Sequence, residues 1–284
     1  LLDDGGDDTY EAAGASQGLG MWGLGLLIDR GGNDTNRAGT MSQGYGTVQG
    51  IGALIDLSGN DRYSFGSWSH GIGAGRRLVQ RKSVSKESCR GGFGLAIDRK
   101  GNDSRETVAG KSSFVLQSIA SAYFFGIGIV HDMEGKDSYV APEVVYGGGG
   151  AAHYGLSLLA DWSGDDTYQC SHMAVGYDRS TGMVIDGGGN DTYRTHRLTW
   201  ADNTAAKAIF VDLEGNDDYS IDLHAVGGAP ATLLFLDQGG TDRYLFPKEP
   251  KRIWKDGDRR VTPSTSAEGK RSGGVAVIDR KIAD

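Results

Sequence analysis

The stretch IDGGGNDTYR, from Ile185 to Arg194, places two aspartates around three consecutive glycines. Near-copies begin at Ile28 (IDRGGNDTNR), Ile55 (IDLSGNDRYS) and Val211 (VDLEGNDDYS). The unit is three apolar residues followed by D-x-x-G-[ND]-D-x-Y. Its first Asp falls at Asp3, Asp29, Asp56, Asp98, Asp132, Asp161, Asp186, Asp212 and Asp237, and a partial tenth copy starts at Asp279. Successive first aspartates lie 26, 27, 42, 34, 29, 25, 26, 25 and 42 residues apart. The base period is thus 25 to 27 residues, lengthened in places by insertions. A unit this small cannot bury a core alone, whereas stacked units share one.

Three residues after the first Asp every complete copy has Gly: Gly6, Gly32, Gly59, Gly101, Gly135, Gly164, Gly189, Gly215 and Gly240. Five residues after it every copy has a second Asp: Asp8, Asp34, Asp61, Asp103, Asp137, Asp166, Asp191, Asp217 and Asp242. The column between them is Asn or Asp except at Lys136 and Thr241. Tyr follows two residues after the second Asp except at Asn36 and Arg105.

The segments before the motif (LLI, ALI, LAI, MVI, IFV, LFL) are short and rich in strand formers, and the chain extends again after each turn. Gly fits the tight turn because it accepts positive φ without strain. A period near 25 with two or three short strands predicts an all-β fold: a parallel β-solenoid (β-helix) of about ten coils, as one domain over residues 1–284. At the strand spacing of about 4.8 Å the rod would be roughly 45 to 50 Å long. Gln17, Gln43 and His70 share one register in the early units and predict a polar ladder. The Tyr column predicts a stacking ladder. Two insertions, 76–90 and 247–273, are expected to project as loops.

The chain has 284 residues, 47 of them glycine and 5 proline. The glycines follow no three-residue period, which excludes collagen. No run of about 18 apolar residues occurs, so no helical membrane span is expected. Cys89 and Cys170 do not make a disulfide framework; whether they pair is open. The net charge is −8, and removing the 18 motif carboxylates of nine copies would turn it to +10. The acidity therefore belongs to the motif.

In a solenoid, equivalent residues of adjacent coils become neighbours. Carboxylates about 5 Å apart repel by roughly 3 kcal/mol at an effective dielectric of 20 and by about 1 kcal/mol in water. Either the side chains splay into solvent or cations sit between the rungs. Carboxylates, turn carbonyls and an Asn amide are hard oxygen ligands that suit Ca²⁺. With no Cys/His cluster, zinc fits poorly. A competing reading is that the aspartates only cap tight turns by accepting nearby N–H groups.

The segment GGGNDTY, Gly187 to Tyr193, resembles the G-G-x-G-x-D repeat of RTX (haemolysin-type) calcium-binding proteins. The resemblance covers about eight residues of each unit. It departs in having Asp at the family's first Gly and in a period near 25 rather than nine. It implies Ca²⁺ held between coils by turn carbonyls and motif aspartates. The candidate ligands are Asp3, Asp8, Asp29, Asp34, Asp56, Asp61, Asp98, Asp103, Asp161, Asp166, Asp186, Asp191, Asp212, Asp217, Asp237 and Asp242. The fifth turn is left out because Lys136 supplies its own cation there.

Other motifs carry less. GASQG matches a nucleophile elbow, but Ser16 has repeat equivalents in Ser42 and Ser69, which marks a structural column. GIGAG, from Gly71, precedes no helix. His172, His196 and His224 occur in successive units and are expected to stack or to lie on the surface. No continuous basic face argues for nucleic acid. The leading expectation is a calcium-binding solenoid module with a structural or adhesive role in an extracellular or cell-surface bacterial protein, meeting polysaccharide or another protein surface. The alternative is a polysaccharide-active enzyme or carbohydrate-binding module, with the irregular region Glu106 to Tyr154 (Glu106, His131, Glu143, His153) as the place to look. The chain starts inside one motif and stops inside another, so a fragment of a longer protein is expected, prone to self-association through the solenoid ends.

Overall fold

The computed structural model describes residues 1–75, 91–108, 116–141, 147–202, 205–224, 231–245, 259–265 and 271–280. The described residues contain strands and no helix, and they form a parallel β-solenoid. Each coil has three faces. The first carries the apolar strands that lead into the motif: Leu24–Asp29, Ile51–Asp56, Phe93–Ile97, Ile127–His131, Leu156–Asp161, Thr181–Asp186, Lys207–Asp212, Ala231–Gln238 and Arg271–Arg280. The second carries the strands that leave it: Thr9–Gly14, Thr35–Thr40, Arg62–Phe65, Ser104–Thr107, Ser138–Ala141, Thr167–Tyr177, Thr192–Asp202, Asp218–His224 and Arg243–Leu245. The third is narrow, from Gly20–Met21 through Ala151–His153 to the ends of the two long strands, Thr167–Tyr177 and Thr192–Asp202. Seven coils carry all three faces, fewer than the ten expected from the motif count, because the last units have no third-face strand among the described residues.

Register follows the motif. Asp29 pairs with Asp56, Asp186 with Asp161 and Asp212, and Asp237 with Asp279. On the second face Tyr168, Tyr193, Tyr219 and Tyr244 lie in one line. Because strand side chains alternate sides, every second residue of the first face points inward. That inward line is Leu27, Leu54, Ala96, Val130, Leu159, Val184, Phe210 and Phe235, all buried. It packs against the tyrosines, whose rings stack 4.8–4.9 Å apart and within 7° of parallel from Tyr139 to Tyr244. Offset stacking of this kind adds about 0.5–1.5 kcal/mol per pair beyond burial.

The insertion 76–90, with Cys89, lies outside the described residues, as do 246–258, which include Ile253 and Trp254. Within the second insertion, Arg259–Thr265 is a strand rather than a loop. It runs antiparallel to Arg271–Arg280 and satisfies the last edge of the first face. Cys170 is a buried thiol whose Sγ donates to the Tyr139 carbonyl at 3.6 Å.

The Gly column has a steric cause. At Gly189 φ is +155°, and a Cβ there would meet the Gly164 carbonyl oxygen of the preceding coil at 1.4 Å. Gly189→Ala is expected to destabilise the fold by about 3 kcal/mol or more, since strained φ and a backbone clash add. Gly23→Ala, where a Cβ meets nothing within 4 Å, should stay within about 0.5 kcal/mol of the parent. Denaturant titration of both variants checks this, and equal losses would refute the steric account.

Candidate metal centre

The turn joining the first and second faces points both motif aspartates into the rod, between the Gly column and the Tyr stack. Asp29, Asp34, Asp56, Asp61, Asp98, Asp103, Asp132, Asp137, Asp161, Asp166, Asp186, Asp191, Asp212, Asp217 and Asp237 are all buried. Splaying into solvent, one of the two outcomes open to the sequence, does not occur for these residues. Among the described motif aspartates from Asp3 to Asp242, only Asp3, Asp8 and Asp242, at the ends of the row, are partly exposed.

The two columns do different work. Each second Asp receives the backbone N–H of its counterpart one coil earlier. The N–H of Asp34 donates to Asp61 Oδ1 at 2.6 Å, that of Asp166 to Asp191 Oδ1 at 2.6 Å and that of Asp191 to Asp217 Oδ1 at 2.7 Å. The same rung continues from Asp8 to Asp242. The first aspartates take tyrosine hydroxyls instead, except Asp132, which takes the Arg105 guanidinium. Tyr168 and Tyr193 donate to Asp186 Oδ2 at 2.7 and 2.8 Å, and Tyr193 and Tyr219 donate to Asp212 Oδ2 at 2.8 Å. The other oxygen of several first aspartates caps its own turn, as Asp186 Oδ1 does for the Gly188 N–H at 3.1 Å. The turn-capping reading is therefore correct for one oxygen of these residues.

It does not account for the rest. Asp61 Oδ2, Asp166 Oδ2, Asp191 Oδ2 and Asp217 Oδ2 are buried and accept no hydrogen bond. Buried anionic oxygens are expensive without a partner. These residues converge in threes: Asp34/Asp56/Asp61, Asp61/Asp98/Asp103, Asp103/Asp132/Asp137, Asp137/Asp161/Asp166 and Asp166/Asp186/Asp191, with two further groups, each offering oxygens within 4.8 Å of one another. Neighbouring groups share a second Asp, so each coil adds two carboxylates and one group.

Two expected ligand types are used elsewhere. The Asn column lies on the outside of the turn, where the backbone and side-chain N–H of Asn60 donate to Asn33 Oδ1 at 3.0 and 3.1 Å, a pattern repeated at Asn102 and Asn216. Turn carbonyls at Ser58, Gly188 and Glu214 accept N–H groups of adjacent coils. Lys136 is exposed. Among the described residues the buried cation is Arg105, one of the two exceptions in the Tyr column. It reaches Asp98, Asp103, Asp132 and Asp137.

The remaining candidates disperse. Of the predicted polar ladder, Gln43 and His70 are joined, His70 Nδ1 to Gln43 Oε1 at 3.3 Å, and both are buried, while the Gln17 amide donates to the Tyr10 and Arg37 carbonyls. The amide of Ser42 donates to Ser69 Oγ at 3.2 Å, which makes the serine column structural. Register sets Arg197 beside His172 and Leu198 beside His224, so the histidines form no ladder. Glu106, His131 and His153 sit on three different faces, and Glu143 lies outside the described residues.

No family model, curated protein or solved structure matches this chain. The RTX resemblance thus rests on the turn chemistry of Gly187 to Tyr193 and on the parallel solenoid with its Asp-rich turns.

Burial, with nearby carboxylates adding, pushes Asp34 up to about 6, Asp61 to about 8 and Asp191 to about 9. Burial likewise raises Asp166 and Asp217 to about 7, against the lowering effect of the N–H groups they accept. A carboxyl raised in the folded state stabilises the fold fully below its unfolded pKa near 3.8, and that contribution is lost as pH rises through the folded value. In chelator, the midpoint of thermal unfolding should therefore fall steadily between pH 5 and pH 8. A midpoint that rises over this interval would show that the row is not a set of buried, uncompensated carboxyls.

Proposed function

We propose that the protein is a calcium-stiffened β-solenoid module with a structural or adhesive role, and that it works where Ca²⁺ is plentiful, outside the cell or at its surface. The observation that carries this reading is the row of buried aspartate oxygens that accept no hydrogen bond inside three-carboxylate groups. Two carboxylates per coil against one divalent ion per coil gives an electroneutral row. All-oxygen, flexible carboxylate sites favour Ca²⁺ over Zn²⁺ and over the strictly octahedral Mg²⁺. Bound ions would hold adjacent coils together and turn the row from a source of repulsion into a spine. The exposed faces would then present a rigid surface to polysaccharide or protein.

Ca²⁺ at one hundred times Kd should stabilise the chain by about 2.7 kcal/mol per site. Asp191→Asn keeps an acceptor for the Asp166 N–H but removes one charge. It should bind fewer ions, gain less from Ca²⁺ and, in chelator, be at least as stable as the parent. Calcium counted after equilibrium dialysis, with melts in chelator and in millimolar Ca²⁺, decides the matter. An unchanged midpoint and no bound calcium would leave a row of protonated carboxyls as the correct description.

One observation favours a second reading, carbohydrate binding. A cavity of about 290 Å³ on the third face is lined by Trp68, Leu116, Gln117, Tyr123 and His153. Tyr123 and His153 stack there at 5.3 Å, with Trp68 edge-on to Tyr123 at 5.2 Å. Tryptophan fluorescence titrated with soluble polysaccharides should respond in the parent and not in Trp68→Ala. No response in either protein removes this reading.

A further inference from the structure

Arg105 occupies the tyrosine position of its coil, in register with Tyr63 and Tyr139. Its guanidinium carbon lies 5.5 Å from the Tyr63 ring centre and 5.0 Å from that of Tyr139, so the stack continues through it. The side chain is 2% exposed. Nη2 contacts Asp98 Oδ2 at 3.2 Å, Asp103 Oδ2 at 3.3 Å and Asp132 Oδ2 more closely, while Nη1 lies 3.5 Å from Asp137 Oδ1. These four carboxylates belong to two consecutive groups, Asp61/Asp98/Asp103 and Asp103/Asp132/Asp137. Elsewhere on the row, at Asp166/Asp186/Asp191, the corresponding position is a tyrosine whose hydroxyl donates to the first Asp and brings no charge.

From this we infer that Arg105 is a tethered cation standing in for the metal ion at two adjacent groups, and that it divides the ion row into two separate runs. This rests on the calcium reading above. Two independent features mark these groups as cation sites: a guanidinium seated among the carboxylates, and the buried oxygens Asp61 Oδ2 and Asp137 Oδ2, which remain without a hydrogen bond beside it. A planar guanidinium in contact with four carboxylates fills the space an ion would need, and at its pKa it never loses its charge. One run, at Asp34/Asp56/Asp61, lies toward the N-terminus, and the longer run begins at Asp137/Asp161/Asp166. The coils around Arg105 would then stay locked when calcium is withdrawn, and the outer coils would loosen.

Replacing Arg105 by the column residue tests the assignment. Of the seven groups among the described residues, the parent should load no more than five with Ca²⁺. Arg105→Tyr should bind one or two more ions per chain than the parent, and Arg105→Lys, which keeps the charge, should match the parent. Calcium is counted by elemental analysis after dialysis, with circular dichroism reporting folding. An Arg105→Tyr chain that folds only with calcium present supports the assignment. If that variant folds in neither condition, Arg105→Gln is counted in its place, with the same gain expected. A folded uncharged variant that binds no more calcium than the parent overturns the assignment while leaving the calcium reading intact. A parent that binds no calcium overturns both.

Discussion

The backbone N–H of each second motif Asp donates to the carboxylate of its counterpart one coil later, and this rung fixes much of the structure. It locks adjacent coils at a register offset of one repeat, which brings like residues into line across the whole rod. From that alignment follow the Tyr stack, the apolar line from Leu27 to Phe235 and the external Asn ladder. The same alignment sets carboxylate over carboxylate in a buried interior. The fold therefore contains an electrostatic problem that is not relieved by side chains turning outward, since the motif aspartates from Asp29 to Asp237 are buried.

Three kinds of relief are available, and the protein uses at least two. N–H and O–H donors satisfy one oxygen of most of the buried carboxyls, from the preceding coil's backbone for the second column and from tyrosine for the first. A guanidinium does the work at the fourth and fifth turns, where burial raises Asp98 and Asp132 while Arg105 opposes the shift. Protons or divalent cations would complete the set at the oxygens that accept nothing. A proton neutralises one oxygen, whereas a divalent ion bridges several and ties coils together.

The surface away from the row is less regular. The third face narrows to two- and three-residue strands and carries an aromatic cluster in which Phe124 contacts Tyr123, His153 and Tyr154. Irregularity there carries no penalty in the core, because the spine and the first face already hold the coils in register.

Much of this architecture was legible in the chain itself. A repeat of 25 to 27 residues, too small to fold alone and bounded by Gly-dependent turns, admits few solutions besides a stacked solenoid, and its invariant columns identified the residues that would meet. Which way those residues point was not legible. A period of two sends neighbours to opposite sides, but the turn between two strands decides which side each Asp takes, and that depends on backbone angles set by the coil before it. The Asn column was expected among the ligands, yet it faces outward for this reason. Lys136 and Arg105 show the same limit. Both are exceptions in the sequence, one at a turn beside a motif Asp and one at a Tyr position. Only the tertiary structure shows the lysine exposed to solvent and the arginine buried among four carboxylates drawn from residues 98 to 137. Contacts across coils depend on how inserted segments are accommodated, and sequence spacing does not record that.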